Sequence, residues 1–194
     1  EAELVGSKIK DACENQGYSF DDVSVFYRTN AQSRVIEDVL RRNRIPYKVV
    51  GGLKFYDRKE IKDILAYFRI IMNPEDSVSF KRIINVPQRG IGKTTVDKIE
   101  EYSIQQAVPF ETALRLAAQS GDVLGAAAKK KILGFLSQIE DLRGLAFEKP
   151  ILEFYHELLD RTGYVTELKT EATEESLARV ENLEEFNSTL TEFG

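Results

Sequence analysis

The chain has 194 residues, 42% hydrophobic and 30% charged, which is typical of a globular protein with one large or two small domains. Its formal charge is −5. The single cysteine excludes an internal disulfide and a cysteine-based zinc site, and a nucleophilic pair of this cysteine with the single histidine is not expected. No apolar run approaches a membrane span and the first residues lack the basic start of a signal peptide, so we expect an intracellular, cytoplasmic protein without membrane contact.

The N-terminal part mixes helical and strand patterns. Residues 1–16 have a helical apolar period. Two apolar runs at 23–27 and 47–50 predict buried strands, and residues 31–43 between them predict a helix. Strand, helix and strand with short links form a βαβ unit with a parallel sheet. Two strands cannot cover their own faces, so residues 1–52 are predicted to be a piece of a larger α/β sheet.

The loop after the first predicted strand is rich in hydrogen-bond donors. Open α/β sheets bind ligands at the carboxyl ends of their strands, and donors clustered at one helix start suit phosphate groups. Asn30 and Ser33 could instead only cap the helix. The candidate residues of this loop are Arg28, Asn30, Gln32, Ser33 and Arg34.

A pair of glycines, Gly51 and Gly52, separates this part from the rest of the chain. Adjacent glycines form a flexible or close-approach joint. No strand pattern follows, and apolar residues at helical spacing recur almost to the C terminus. We therefore predict a mainly α protein in which residues 1–52 are a partial α/β segment, the piece that a resemblance described below makes RecA-like, and residues 53–194 form an all-helical domain.

A glycine-rich turn in the second part has the pattern of an anion site. An apolar run ends at Pro87, and a Gly-Ile-Gly turn then leads into a helical pattern that starts at Lys93. Glycine lets the backbone lie close to a ligand, and the first N–H groups of a helix attract anions. The predicted phosphate-binding residues are Arg89, Gly90, Ile91, Gly92, Lys93, Thr94 and Thr95.

Three interpretations of this turn compete. The pattern from Pro87 to Gly92 is typical of a helix-hairpin-helix, which binds one DNA strand through its phosphates without reading bases. Gly92-Lys93-Thr94 also matches the end of a nucleotide-binding P-loop, but the first P-loop glycine would fall at position 87, where proline lacks an N–H donor. A turn between two packed helices with no ligand is the third possibility.

The basic residues are concentrated around the two candidate sites. Residues 28–98 contain sixteen Lys or Arg against eight Asp or Glu, a net charge of +8, so the remaining residues carry −13. Because salt screens charges beyond about 10 Å, the local field rather than the total charge decides where a polyanion binds. This segment therefore favours nucleic acid, although a basic solvated face is the commoner cause of such a charge pattern.

Three motifs, at residues 27–34, 51–63 and 85–92, match one family in the correct order. The chain resembles superfamily 1 DNA helicases of the PcrA and UvrD type, which move 3′ to 5′ on a single strand. The resemblance implies that residues 1–52 belong to the second motor domain, 2A, and that residues 53–194 form most of the helical domain 2B, which contacts duplex DNA.

The same resemblance implies roles for the candidate residues. Arg28, Asn30, Ser33 and Arg34 would face the single strand and the motor cleft, residues 89–95 would hold a duplex phosphate, and Gly51 and Gly52 would form the hinge. ATP and Mg²⁺ would be cofactors of the full-length helicase. The family's phosphate loop, acidic pair and arginine segment do not occur here, so we expect a fragment without catalytic residues, metal or cofactor that is inactive alone.

The expected partner is a junction of single-stranded and duplex DNA. Two other hypotheses stay open. The acidic helices from Glu140 onward could make the chain a protein-interaction module that docks repair or transcription proteins. A free-standing NTPase is the third hypothesis.

Overall fold

The computed structural model describes residues 1–29, 32–50, 52–120 and 122–191, and within these ranges it contains ten α-helices. Two short 3-10 turns, Phe20–Asp22 and Phe55–Asp57, precede α2 and α3. The helices are α1 (Ala2–Asn15), α2 (Ser33–Arg42), α3 (Lys59–Met72), α4 (Ser77–Ile83), α5 (Lys93–Gln106), α6 (Phe110–Gln119), α7 (Ala126–Glu148), α8 (Ile151–Thr162), α9 (Tyr164–Glu171) and α10 (Glu174–Thr191).

The predicted βαβ piece is wrong, because the described residues contain no strand or sheet. Residues 23–27 and 47–50 are irregular, and they flank α2 as the predicted strands flanked the predicted helix. A strand exists only through hydrogen bonds to a neighbouring strand, and none of the described residues supplies one to either run. The side chain of Phe26 is 93% exposed as a result.

The helices α1 and α2 pack against each other and bury a small apolar cluster. Its buried members are Ile9, Leu40 and Ile45, and Val23 and Val25 cover it in part. The irregular run at 23–27 therefore still turns alternate side chains toward apolar surroundings, which is why its sequence resembles a strand.

The helical prediction for the rest of the chain is confirmed. α3 is central: it packs on α4, α7 and α10, and its side chains Ile61, Ile64, Tyr67 and Ile70 are fully buried. Residues three and four apart share one face of a helix, so this spacing puts all four on the buried side. A separate, larger apolar cluster runs from Phe55 to α10. The domain boundary at Gly51 and Gly52 stays a prediction, because Gly51 lies outside the described residues.

Helices flank the glycine turn on both sides. α4 ends at Ile83 and α5 begins at Lys93, with Asp76 capping α4 through a hydrogen bond from the N–H of Ser79. α5 packs on α6, and α6 packs on α7, so the turn joins two helices that the core holds in place.

None of the helices in the described part of the chain combines the length and apolar content that crossing a membrane requires.

Candidate nucleic-acid interface

The glycine loop, residues 84–92 between α4 and α5, is shaped by the side chain of Asn85. Its Oδ1 accepts hydrogen bonds from the backbone N–H groups of Arg89 at 2.8 Å and Ile91 at 3.1 Å. The side chain of Ile91 is buried in the core. These contacts fix the backbone on both sides of Gly90, whose φ of +68° is a conformation that glycine adopts without steric cost.

Both glycines of the loop face solvent. Gly92 is the N-cap of α5 and has an extended backbone, with φ −76° and ψ 166°. A Cβ built on Gly92 would meet no atom within 4 Å. A large anion therefore has open access to the backbone at this position.

The start of α5 presents backbone N–H groups that have no acceptor. The N–H groups of Thr95 and Val96 donate to the carbonyl of Gly92 at 3.0 and 3.2 Å. Within the described ranges, no residue accepts a hydrogen bond from the N–H groups of Gly92, Lys93 or Thr94. Lys93 and Thr94 are exposed and Thr95 is half-buried. Because a helix N-terminus carries a positive partial charge, this geometry suits an anion.

The guanidinium of Arg89 binds inside the protein rather than projecting toward solvent. It lies 5.2 Å from the ring centroid of Phe135. Burial raises the pKa of Tyr67 to about 12, so this phenol stays protonated and donates to the carbonyl of Val86 while it accepts from Arg89. Arg89 donates to four acceptors at 2.7 to 3.1 Å, which are the carbonyls of Ile83 and Pro87, the hydroxyl of Tyr67 and Oε1 of Gln138. Arg89 thus fixes the loop.

Two further side chains contact the glycine loop from distant helices. Lys131 on α7 donates from Nζ to the carbonyl of Gly90 at 2.9 Å, and Glu167 on α9 accepts from the N–H of Gln88 at 2.8 Å. Neither residue is among those that the sequence pattern predicts for the site. The only visible signal was the run of three lysines that ends at Lys131, and nothing local to that run indicates that α7 passes beside the loop.

The residues predicted to face the single strand and the motor cleft differ in their exposure to solvent. Arg28 is exposed, and its backbone N–H donates to Oε1 of Gln32 at 2.9 Å. Asn30 lies outside the described residues. Ser33 and Arg34 are buried, with 1% and 3% of their surface exposed.

The buried pair belongs to a polar junction between α2 and α10. Arg34 binds Glu185 at 2.5 Å through Nε and Asp38 at 3.3 Å through Nη1. The hydroxyl of Ser33 accepts from Arg58 at 2.7 Å, and Arg58 also donates to Oδ1 of Asn182 at 2.6 Å. Burial lowers the pKa of Arg58. Of the two predicted hinge residues, Gly52 is exposed, and Gly51 lies outside the described residues.

The glycine loop does not fit the phosphates of ATP with Mg²⁺. Pro87 occupies the position of the first P-loop glycine, and it has no N–H to donate to a phosphate. Within the described ranges, no cluster of three or more His, Cys, Asp or Glu side chains could hold a metal ion.

Comparison with known proteins gives a single family. The model of the UvrD-like helicase C-terminal domain matches residues 1–194, which is the whole chain. The ATP-dependent DNA helicase PcrA of Bacillus subtilis is 42% identical over 195 residues, covering all of this chain and 26% of the relative. The ATP-dependent DNA helicase UvrD1 of Mycobacterium tuberculosis is 44% identical over 194 residues, covering all of this chain and 25% of the relative.

A third relative, the ATP-dependent DNA helicase PcrA of Staphylococcus aureus, is 42% identical over 190 residues, covering 97% of this chain and 25% of the relative. The chain thus spans about a quarter of the length of the relatives that it matches. The resemblance noted in the sequence is confirmed, since both the family model and the relatives extend over the whole chain or nearly so. This chain belongs to the UvrD-like helicase C-terminal domain family, in the PcrA and UvrD branch of the superfamily 1 helicases.

Proposed function

We propose that this chain is the DNA-binding and regulatory portion of a 3′ to 5′ ATP-dependent DNA helicase, and that its glycine loop holds a phosphate of duplex DNA without base readout. The observation that carries the proposal is the exposed Gly92, followed at the start of α5 by the acceptor-free N–H groups of Lys93 and Thr94. The similarity to helicases over the whole chain supports the choice of DNA as the anion.

The binding mechanism follows from the loop. Gly92 carries no side chain, so a phosphate oxygen can reach hydrogen-bond distance of the N–H groups. The ammonium of Lys93 adds a mobile positive charge, and the hydroxyl of Thr94 adds a neutral donor. All of these groups recognise the backbone and none is placed by a rigid frame to read a base edge, so the affinity is sequence-independent and falls with salt.

The remaining assignments concern the whole protein. Residues 1–52 would belong to motor domain 2A and residues 53–194 to domain 2B, with the hinge at Gly51 and Gly52. Arg28 is the exposed candidate for the single strand, whereas Ser33 and Arg34 join α2 to the helical part. ATP and Mg²⁺ would bind elsewhere in the full-length helicase, which acts at the junction of single-stranded and duplex DNA.

Two substitutions at Lys93 test the role of the backbone. Lys93 is the first helical residue of α5, where proline is tolerated, and the ψ of 166° at Gly92 is the conformation that a residue before proline prefers. Lys93→Ala removes the charge alone, and Lys93→Pro removes the charge and the N–H donor. In fluorescence-anisotropy titrations of a tailed duplex, the alanine variant lowers affinity, and the proline variant lowers it by about a further tenfold.

Matched controls keep this experiment interpretable. Lys8→Ala removes the same charge from an exposed position on α1, and it should leave the affinity close to that of the wild type. Thermal unfolding of each variant verifies that the fold persists. Equal affinities of the alanine and proline variants would contradict the backbone contact, and an affinity of the wild type that does not depend on salt would contradict the proposal as a whole.

A protein-interaction role is a second candidate, favoured by the exposed carboxylates around the end of α9. Glu171 and Glu174 are exposed and form no ion pair with the described residues, whereas the neighbouring Glu175 binds Arg179 at 2.5 Å. Uncompensated surface carboxylates suit a basic partner, such as a repair or transcription protein. Charge reversal at Glu171 and Glu174 should abolish capture of such a partner while DNA binding persists, and unchanged capture would refute this role.

A further inference from the structure

Lys131 is held by a backbone carbonyl, as Lys129 is, rather than by a carboxylate. Its Nζ donates to the backbone carbonyl of Gly90 at 2.9 Å, and no carboxylate of the described residues lies within ion-pair distance of it. By contrast, Lys81 pairs with Glu100 and Lys149 pairs with Glu157. The positive charge of Lys131 is therefore not neutralised by a neighbouring carboxylate, although its side chain is held in one place.

The position of that charge coincides with the glycine loop. A Cβ built on Gly90 would lie 2.5 Å from Nζ of Lys131, so the ammonium sits directly over the Cα of this residue. Gly90 needs to be glycine because of its φ of +68°, whereas the flexible end of the lysine could move away from an added Cβ at little cost. Lys131 is exposed, so its ammonium is open to solvent and to any anion at the loop.

The carbonyl of Gly90 would otherwise oppose an anion. A carbonyl oxygen carries a negative partial charge, and at the loop surface it repels a phosphate that approaches the N–H groups of α5. Lys131 covers this oxygen with one of its three donors and keeps two donors free. A phosphate oxygen carries a full negative charge whereas a carbonyl oxygen carries only a partial one, so the free donors of this ammonium attract a phosphate strongly.

We propose that Lys131 is a further phosphate ligand of the glycine loop: one of its donors stays on the carbonyl of Gly90, and another binds a nucleic-acid phosphate in the complex. This inference rests on the proposed DNA-binding function of the loop. It assigns a second helix, α7, to the interface. It also places part of the binding charge outside residues 28–98, the segment whose net charge first indicated nucleic acid.

The neighbouring Lys130 provides a matched control. It is exposed and forms no hydrogen bond or ion pair with the described residues, and it is one position away on the same helix, so its side chain leaves α7 about 100° from that of Lys131. Lys130→Gln and Lys131→Gln remove the same charge from almost the same place. Only the second removes the group that touches the loop.

The test is a titration of a tailed duplex by the wild type, Lys130→Gln, Lys131→Gln and Lys131→Arg at several salt concentrations, with thermal unfolding as a check of folding. We expect Lys131→Gln to lower affinity about tenfold at low salt and to reduce the slope of log K against log salt by about 0.9, the value for one phosphate. Lys130→Gln should keep the slope of the wild type, and Lys131→Arg should restore it.

The outcomes separate this inference from the function on which it rests. If the wild type binds with a steep salt dependence and Lys131→Gln keeps the same slope, Lys131 is not a phosphate ligand, even where affinity falls through a loosened loop. Equal losses of slope in Lys130→Gln and Lys131→Gln indicate a diffuse field and also overturn the inference. If the wild type does not bind the duplex, the proposed function itself fails, and the inference fails with it.

Discussion

Replacing Gly92 with alanine separates the stability of the glycine loop from its ability to bind DNA. The backbone of Gly92 lies at φ −76° and ψ 166°, which every residue adopts, and the added Cβ would meet no atom within 4 Å. The folded state therefore gains no strain, while the unfolded chain loses conformational freedom. We expect the free energy of unfolding to stay the same or to rise by about 0.4–1 kcal/mol.

The same methyl group stands where the phosphate would approach. It separates the anion from the N–H groups of Lys93 and Thr94, which have no other acceptor among the described residues. A hydrogen bond to a charged group contributes about 1.5–3 kcal/mol, so the loss of one such bond weakens binding at least about tenfold. Gly92→Ala should thus bind DNA poorly and fold at least as well as the wild type.

Gly90→Ala is the contrasting variant. At Gly90 the φ of +68° opposes a side chain, and an added Cβ would also displace Nζ of Lys131, which lies 2.5 Å from its position. The left-handed conformation costs a non-glycine residue about 1–2 kcal/mol, so this variant should lose stability as well as affinity. Of these two variants, Gly92→Ala should lose affinity for DNA while keeping its stability.

Urea denaturation and anisotropy titration of a tailed duplex measure the two quantities on the same samples. The reasoning about close approach is refuted if Gly92→Ala is folded and binds the duplex as tightly as the wild type. It is also refuted if Gly92→Ala loses as much stability as Gly90→Ala, because the space around Gly92 would then be other than the structure indicates.

Three further predictions concern the contacts that hold the loop and the junction. Arg89→Ala should lower the free energy of unfolding by about 1–3 kcal/mol and weaken DNA binding in parallel, because its guanidinium fixes the loop; weaker binding with unchanged stability in urea would refute this. Arg34→Ala should destabilise by about 1–3 kcal/mol, since it removes a buried guanidinium from the half-buried carboxylates of Asp38 and Glu185, while Arg161→Ala, which removes an exposed ion pair, should shift the urea midpoint less; equal urea midpoints would contradict the account. Hydrogen bonds from Lys149 and Arg161 lower the pKa of Glu157 from 4.5 to about 2, so its stabilising effect is complete above 4.5 and lost as the pH falls toward about 2; an NMR titration midpoint near 4.5 would show that these bonds do not form in solution.

The helices of residues 53–194 could be predicted because the signal of a helix is local. Ile61, Ile64, Tyr67 and Ile70 follow a helical period, and a helix makes its backbone hydrogen bonds within its own segment. The glycine turn could be located for the same reason, since proline and glycine act on their own backbone conformation.

The sequence could not show whether residues 23–27 and 47–50 form strands, because a strand depends on a neighbouring strand. The run at 23–27 has the composition of a strand, and its side chains alternate between half-buried and exposed. Its backbone would need a partner strand, which none of the described residues supplies. Composition and alternation therefore indicate an extended segment, and they do not show that a sheet is present.

The contacts of the candidate site could be predicted only in part, because some of them are non-local. Lys131 is 41 residues from Gly90 in sequence, and Arg34 is 151 residues from Glu185. The sequence pattern predicted Arg34 as a binding group and did not indicate Lys131, but the packing of α10 buries Arg34 and the packing of α7 brings Lys131 to the loop. Arg89 was likewise expected at the phosphate, and its position beside Tyr67 gives it a role in the shape of the loop.

The most direct test of the central claim is a ¹H–¹⁵N NMR titration of this chain with a short tailed DNA duplex. The account predicts saturable shifts of the amide signals of Gly92, Lys93 and Thr94, whose N–H groups would donate to a phosphate, and a weaker response as salt is added. Saturable DNA binding that leaves these three amide signals in place would contradict it.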